Sequence, residues 1–224
     1  MELIRQIFQY STAFSTILPF IAGIWLWKRL DIGLRILTWS LFVILLFDLA
    51  AMFLALMSKS NAFVLNIYAP IELFLFFLVF YLWSESVNVK RSLLATVILF
   101  FIFWLLFWRV LDIKEGMYDL VLTVESVLFV FFSVIALFSA LNNDKLPVVK
   151  NPIFWVSSAL LIYFAGNLFV FALIKELSKE IPEQGKYIWI IHSLLNLTKN
   201  LFFLGGFLTC RKHSPFSSAV RSSS

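Results

Sequence analysis

The feature that most constrains this chain is a series of seven apolar stretches of about 20 residues, separated by short polar breaks. About 20 apolar residues in a helix cross the roughly 30 Å of hydrocarbon in a bilayer. Backbone groups need partners in lipid, and no stretch alternates polar and apolar residues as barrel strands do, so each stretch must be a helix. The sequence predicts an all-α bundle of seven transmembrane helices at approximately 7–27, 33–57, 62–84, 92–111, 118–141, 152–174 and 187–209.

The composition agrees with lipid as the main solvent. The chain is 62% hydrophobic and only 14% charged, whereas soluble domains are about 25% charged. Its net charge of +5 comes from basic residues that lie mainly at the ends of the apolar stretches. That placement is typical of topology signals and lipid contact. The sequence has no basic stripe interleaved with exposed aromatic residues, the pattern that would indicate nucleic-acid binding. The expected partner is the bilayer, with no nucleic acid.

The polar breaks are too short to fold separately, so we expect one transmembrane domain, 1–213, followed by a disordered Ser-rich tail, 214–224. The first stretch exceeds the roughly 7 to 15 apolar residues of a signal-peptide core and is predicted to be a retained span. Near the span ends, ten basic residues fall on one side and seven on the other. This bias predicts the N-terminus outside and the C-terminus inside a plasma membrane, expected to be a bacterial inner membrane.

The seventh stretch is long enough to cross the bilayer but carries His192, Asn196, Lys199 and Asn200. An ionisable group at membrane depth costs roughly 2.5 to 3.5 kcal/mol, so these residues are expected to have partners or a function. His192, Asn196 and Lys199 recur at intervals of four and three, which places them on one helix face. The pattern predicts a polar stripe that faces the bundle interior.

Acidic residues inside other stretches are the candidates to balance Lys199. Asp48 lies in the second stretch, Glu72 in the third and Glu125 in the fifth. Opposite charges at similar depth attract strongly in a low dielectric, and either charge alone is costly there. We expect Glu72 and Lys199 to pair.

Pro70 lies two residues before Glu72 and leaves a carbonyl of the preceding turn without its helical N–H partner. This carbonyl and the carboxylate predict a polar pocket, which Asn167 and the first-stretch residues Gln9, Ser11, Thr12, Ser15 and Thr16 would extend. For Asn66 and Asn167 the alternative is helix fastening, worth about 0.6 kcal/mol per hydrogen bond. The candidate cavity or ligand-binding residues are Asp48, Tyr68, Glu72, Glu125, Asn167, His192, Asn196, Lys199 and Asn200.

Catalytic motifs are missing from the sequence. It contains no HExxH, GxSxG, P-loop or GxGxxG, and its two histidines are His192 and His213. Its single cysteine, Cys210, excludes an internal disulfide and a cysteine-based zinc site. We therefore expect a protein that is not an enzyme and needs no metal or cofactor.

Two runs of residues carry a family resemblance. The run W-I-I-H-S-x-x-N-x-x-K-N, Trp189 to Asn200, and the run Tyr163 to Phe169 resemble small seven-helix bacterial membrane proteins of uncharacterised role. They are also similar to the seven-helix sensory regions of some bacterial histidine kinases. The second resemblance implies sensing. Because nothing after Thr209 resembles a kinase domain, a sensory protein of this kind would signal through a separate partner.

A lysine in the seventh helix and an acid in the third also resemble the retinal-binding rhodopsins. The resemblance implies a Schiff base on Lys199 with Glu72 as counter-ion. However, Leu195 stands where these proteins usually have an acid one turn before the lysine.

Several functional hypotheses follow from these residues. The first is a receptor-like or sensory membrane protein that binds an unknown small ligand in a polar cavity open to the outside. The alternatives are a small proton-coupled transporter with Glu72, His192 and Lys199 as its relay, a retinal-binding protein, and a structural subunit of a membrane complex.

Overall fold

A computed structural model describes residues 14–57, 59, 61–110, 115–142, 147–180 and 185–210. These residues form seven α-helices and two short 3-10 helices, Trp27–Arg29 and Val148–Lys150, and no strand occurs among them. The α-helices are α1 Ile17–Trp25, α2 Ile32–Leu56, α3 Ala62–Trp83, α4 Val87–Val110, α5 Glu115–Leu141, α6 Pro152–Glu180 and α7 Gly185–Leu208. The predicted all-α fold is confirmed, and each predicted span corresponds to one helix.

Five of these helices are long and apolar enough to cross a membrane. Their candidate spans are Ile32–Leu54, Phe63–Trp83, Val87–Phe107, Leu120–Leu141 and Pro152–Val170. The described part of the first predicted span is short, since residues 7–13 lie outside the described residues, as does the predicted tail 214–224. The chain is therefore a helical membrane protein with at least five helices suited to spanning.

Short connections make consecutive helices antiparallel, so α1, α3, α5 and α7 all begin at one end of the bundle. We name this the upper end and the opposite one the lower end. At the lower end, Asp31 Oδ1 accepts a hydrogen bond from the Leu34 N–H at 2.8 Å, which caps α2. The same oxygen accepts the Trp83 indole N–H at 3.4 Å. Asp31 thereby joins the start of α2 to the end of α3.

Six helices form a closed ring. Helix α1 packs against α2 and α7, α2 packs against α3, α3 against α5, α5 against α6, and α6 against α7. Helix α4 lies outside this ring, mainly against α3, and only 11% of its membrane window is buried. The ring encloses an interior to which α4 contributes little, so the side chains of the interior come mainly from the other six helices.

Four phenylalanines from four helices fill the centre of the ring and form what we call the phenylalanine layer: Phe76, Phe129, Phe164 and Phe203. Phe129 stacks on Phe164 with ring centroids 4.0 Å apart, and Phe76 stacks on Phe203 at 5.8 Å. Phe76 also meets Phe129 edge to face at 5.7 Å. All four side chains are buried. Aromatic pairs contribute about 0.5 to 1.5 kcal/mol beyond their buried area, so the layer fixes α3, α5, α6 and α7 together.

Glycines allow α6 and α7 to approach closely. A Cβ atom added to Gly166 on α6 would lie 2.5 Å from Leu195 on α7, and one added to Gly205 would lie 2.8 Å from Trp155. No larger side chain fits at either position without movement of a neighbour. Gly205 and Gly206 on α7 likewise lie against Trp155 and Val156 of α6.

Candidate functional site

Three predicted site residues lie at one level directly above the phenylalanine layer. Glu72, Glu125 and Lys199 each precede a residue of that layer by four positions, on the three parallel helices α3, α5 and α7. Four residues of helix rise about 6 Å, so the charged groups lie one turn above the rings. Their exposed fractions are 6%, 1% and 3%. Because the three residues share this spacing, their side chains lie at one level and form a buried layer. We call Glu72, Glu125 and Lys199 the charged layer.

The Lys199 ammonium group interacts electrostatically with three carboxyl groups. Glu72 has the largest influence, followed by Asp48 on α2 and Glu125 on α5. Glu125 interacts in turn with Glu72 and with Lys199. Glu72 is therefore the acid with the largest electrostatic influence on Lys199, and the other two predicted acids act on the same ammonium group. The ion pair of Glu72 with Lys199 stays a prediction.

The ammonium group also contacts an aromatic ring. Lys199 Nζ lies 4.0 Å from the ring centroid of Tyr163 on α6. A desolvated cation over an aromatic face gains about 2 kcal/mol or more. The sequence analysis missed Tyr163 as a site residue. It lies four positions before Asn167, so helical periodicity would have placed it on the same face as a residue already chosen.

His192 and Asn167 join α7 to α6 above this contact. The His192 Nδ1–H donates a hydrogen bond to Asn167 Oδ1 at 2.8 Å. The side chain of Asn167 also hydrogen-bonds with Tyr163, and the rings of Tyr163 and His192 have centroids 5.9 Å apart. A polar chain thus runs from the imidazole to the ring that holds the lysine. Asn167 both fastens two helices and belongs to the site.

Tyr68 lies one helical turn above Glu72 on α3. Its hydroxyl group hydrogen-bonds the Glu72 carboxyl group, and its ring packs on Phe47 of α2 with centroids 5.4 Å apart. It also interacts electrostatically with Asp48. Tyr68 therefore interacts with two of the acids, Glu72 and Asp48.

The carbonyl left without a helical partner by Pro70 belongs to Asn66, four residues earlier. It accepts a hydrogen bond from the Trp104 indole N–H at 2.9 Å. Trp104 lies on α4, outside the ring. The expectation that this carbonyl would line the pocket is wrong, because the carbonyl attaches α4 to α3 instead. The proline removes one hydrogen bond within a helix and makes one between helices possible.

Asn200 faces α1. Its Nδ2 donates to Ser15 Oγ at 2.7 Å and to Thr16 Oγ1 at 3.1 Å. Both residues were expected to extend the pocket, and the structure places them at the contact between α1 and α7. Gln9, Ser11 and Thr12 lie outside the described residues. Asn196 is buried on the same helix, between His192 and Lys199.

Several buried polar atoms in the interior have no hydrogen-bond partner within the described part of the chain: Glu72 Oε1, Glu125 Oε1, Asn66 Nδ2 and Asn200 Oδ1. An unpartnered buried polar atom costs about 1 to 3 kcal/mol, and such atoms in native proteins usually have a specific cause. Two of them are carboxylate oxygens of the charged layer.

The side chains of the interior therefore differ in polarity below and above the charged layer. Below the charged layer the phenylalanine layer closes it with apolar rings. Above it, Tyr68, Asn167, His192 and Asn196 add further polar side chains toward the upper end. We call this group of polar side chains above the phenylalanine layer the interior pocket. Across the described ranges, no three His, Cys, Asp or Glu side chains are grouped so as to hold a metal ion.

A cavity of about 220 Å³ lies at the lower end, between α3, α4 and α5. Phe80, Leu93 and Phe132 form part of its wall, and Ser84, Glu85 and Ser139 supply polar groups. It is separate from the charged layer, because its residues of α3 and α5 follow Phe76 and Phe129 in the direction of the lower end.

Comparison of the chain with protein-family models, with curated proteins and with solved structures finds no significant match.

Proposed function

We propose that this chain is a receptor-like or sensory protein of a plasma membrane, with seven spans and no enzymatic activity. It binds a small ligand in the interior pocket and signals through a separate partner protein. The observation that carries this proposal is the buried charged layer of Glu72, Glu125 and Lys199, polar above and sealed by aromatic rings below. Ionisable residues are expensive in a membrane and mark functional sites there.

The count of seven spans rests on the seven helices, of which five are candidate spans; the other two are α1, whose described part has only nine residues, and α7. Helix α7 has 24 residues, enough for a span, and its polar residues turn toward neighbouring helices. The charge bias of the loops places the upper end outside. The pocket then opens to the outside of a bacterial inner membrane, and the lower end faces the partner.

The phenylalanine layer favours a receptor over a channel or carrier. Stacked rings at 4.0 Å and 5.8 Å close the interior below the charged groups. A ligand that enters from above would stop at this layer, next to residues of α3, α5, α6 and α7. Altered contacts there would shift the helices relative to each other, which is how a receptor transmits binding.

Cysteine accessibility tests the proposal. In a Cys210→Ser background, the Asn196→Cys variant places a thiol in the pocket, and the Ala159→Cys variant places one below the phenylalanine layer. A membrane-impermeant thiol reagent should label the first from outside whole cells and leave the second unlabelled. An Asn196→Cys thiol that reacts from neither side would contradict a solvent-accessible pocket.

A second candidate is a small proton-coupled carrier. The observation that favours it is the pair of unpartnered oxygens, Glu72 Oε1 and Glu125 Oε1. Intramembrane carboxyl groups of this kind bind and release protons in transporters. A carrier must expose its site to both sides, so inside-out vesicles separate the two functions. Labelling of the Asn196→Cys variant from both sides favours the carrier, whereas labelling from outside alone favours the receptor.

A further inference from the structure

We infer that the ligand of the interior pocket is a small organic cation, an ammonium group on an apolar or aromatic body. This inference rests on the proposed function of the pocket and adds the charge of its ligand.

The first argument is the balance of charge. Asp48, Glu72 and Glu125 supply three carboxyl groups that interact with the single ammonium group of Lys199. Three ionised carboxylates would leave two uncompensated negative charges beside Lys199. An uncompensated buried charge costs several kcal/mol, so the cluster has to bind positive charge or protons. A cationic ligand supplies positive charge where the protein lacks it.

The second argument is the polarity of the unpartnered atoms. Among the unpartnered amide and carboxyl atoms that the described residues place in the interior, Glu72 Oε1, Glu125 Oε1 and Asn200 Oδ1 are acceptors, and Asn66 Nδ2 is a donor. An alkylammonium group carries three N–H donors and no acceptor. The two glutamate oxygens belong to residues that are 94% and 99% buried by their exposed fractions of 6% and 1%. Donors of a bound ammonium group would satisfy them with charge-assisted hydrogen bonds.

The third argument is the surroundings. Tyr68, Tyr163 and the phenylalanine layer give the pocket aromatic walls, and aromatic faces attract ammonium groups and apolar bodies alike. The Lys199 ammonium group already occupies the face of Tyr163 at 4.0 Å. Within the ranges described, His, Cys, Asp and Glu do not form a metal-binding group of three. An organic cation therefore fits these walls better than a metal ion.

Binding is coupled to proton release. Without ligand, protons on the carboxyl groups keep the cluster near neutrality; when the ammonium group enters, a carboxylic acid loses its proton to solvent and the carboxylate pairs with the cation. The net charge of the site is unchanged by this exchange. The titratable groups that face the cluster are Asp48, Tyr68, Glu72, Glu125, Tyr163, His192 and Lys199.

Three probes of similar shape test the inference: phenethylammonium, neutral 2-phenylethanol and anionic phenylacetate. Each is titrated calorimetrically into the full chain in phosphatidylcholine nanodiscs, with empty nanodiscs as the blank. We expect phenethylammonium to bind at least about tenfold more tightly than either analogue. Repeating the titration in buffers of different ionisation enthalpy should show about one proton released per amine bound.

Variants locate the binding. Glu125→Gln and Glu72→Gln keep the side-chain size and remove the negative charge, so each should weaken phenethylammonium binding about tenfold or more. Glu85→Gln removes an exposed carboxyl group at the lower end and should leave the affinity unchanged. The melting temperature of each variant checks that it remains folded, and the three-probe comparison on the unaltered chain needs no variant.

The outcomes separate the two proposals. If phenylacetate or 2-phenylethanol binds as tightly as the amine, and Glu125→Gln weakens that binding, the cation inference is overturned. The proposal that the pocket binds a ligand then still stands. No binding of phenethylammonium, or binding that Glu85→Gln weakens as much as Glu125→Gln, overturns the inference as well. Amine binding without proton release overturns the exchange of protons for amine. Failure of the pocket itself is seen independently in the cysteine labelling from outside.

Discussion

The Lys199 ammonium group lies over the ring of Tyr163, 4.0 Å from the centroid, on two helices that the fold packs together more extensively than most. This contact stabilises the buried cation in addition to its electrostatic interaction with the carboxyl groups of Glu72, Asp48 and Glu125. Among the described residues, Glu72 Oε1 and Glu125 Oε1 have no hydrogen-bond partner.

Two replacements of Tyr163 distinguish the contribution of its ring to stability from that of its hydroxyl group. Tyr163→Leu removes the π face and should destabilise the protein by about 2 kcal/mol or more, because the cation is desolvated. Tyr163→Phe keeps the face and loses only the hydrogen bond with Asn167, so about 1 kcal/mol is expected. Unfolding by denaturant in mixed micelles measures both.

The matched control for Tyr163 is Tyr81, whose ring carries the Lys90 ammonium group at 5.2 Å near the lower end. A cation at such a less buried site gains only about 0.5 to 1 kcal/mol. Tyr81→Leu should therefore cost less than Tyr163→Leu. Equal costs would show that buried charge is not what makes the Tyr163 contact strong.

The hydrogen bond between Trp104 and Asn66 predicts a coupling with Pro70. Trp104→Phe leaves the Asn66 carbonyl unpartnered and should cost about 1 to 3 kcal/mol. Pro70→Ala restores the helical N–H that this carbonyl lacks. In the Pro70→Ala background, Trp104→Phe should therefore cost less, which a double-mutant cycle of unfolding free energies measures. Purely additive costs would disprove the coupling.

How far the sequence predicts this structure depends on the residue. Seven apolar stretches suffice to predict seven helices, since lipid leaves the backbone few choices. Glu72 and Lys199 stand out because charge is rare and costly in a span. The outer position of α4 was not predictable, because a helix that is apolar on all sides gives no sign of which neighbour it meets. Tyr163 was missed because the chain is 18% aromatic, so one more ring carries little information.

The thiol of Cys210 lies beyond the end of α7, where its reactivity reports on the lower end. Its Sγ donates a hydrogen bond to the Arg29 carbonyl oxygen at 3.1 Å, and burial raises the pKa of this thiol above its ordinary value of 9.0. The thiolate is the reactive form, so a raised pKa means less thiolate at any given pH. Alkylation by iodoacetamide should rise with pH at a higher midpoint in the folded protein than in denaturant. A lower midpoint when folded would contradict this environment.

The position of the phenylalanine layer predicts the effect of Phe129→Ala on both the stability of the protein and the access of reagents to the region below the layer. Phe129 stacks on Phe164 at 4.0 Å and is fully buried, so Phe129→Ala should cost about 3 to 5 kcal/mol. Phe131→Ala on the same helix, 58% exposed toward lipid, should cost much less. Because the smaller residue opens the layer, the Ala159→Cys thiol should also become reactive to a reagent added from outside when Phe129→Ala is present. If the thiol stays unreactive in a protein that is still folded, then Phe129 does not close the interior pocket.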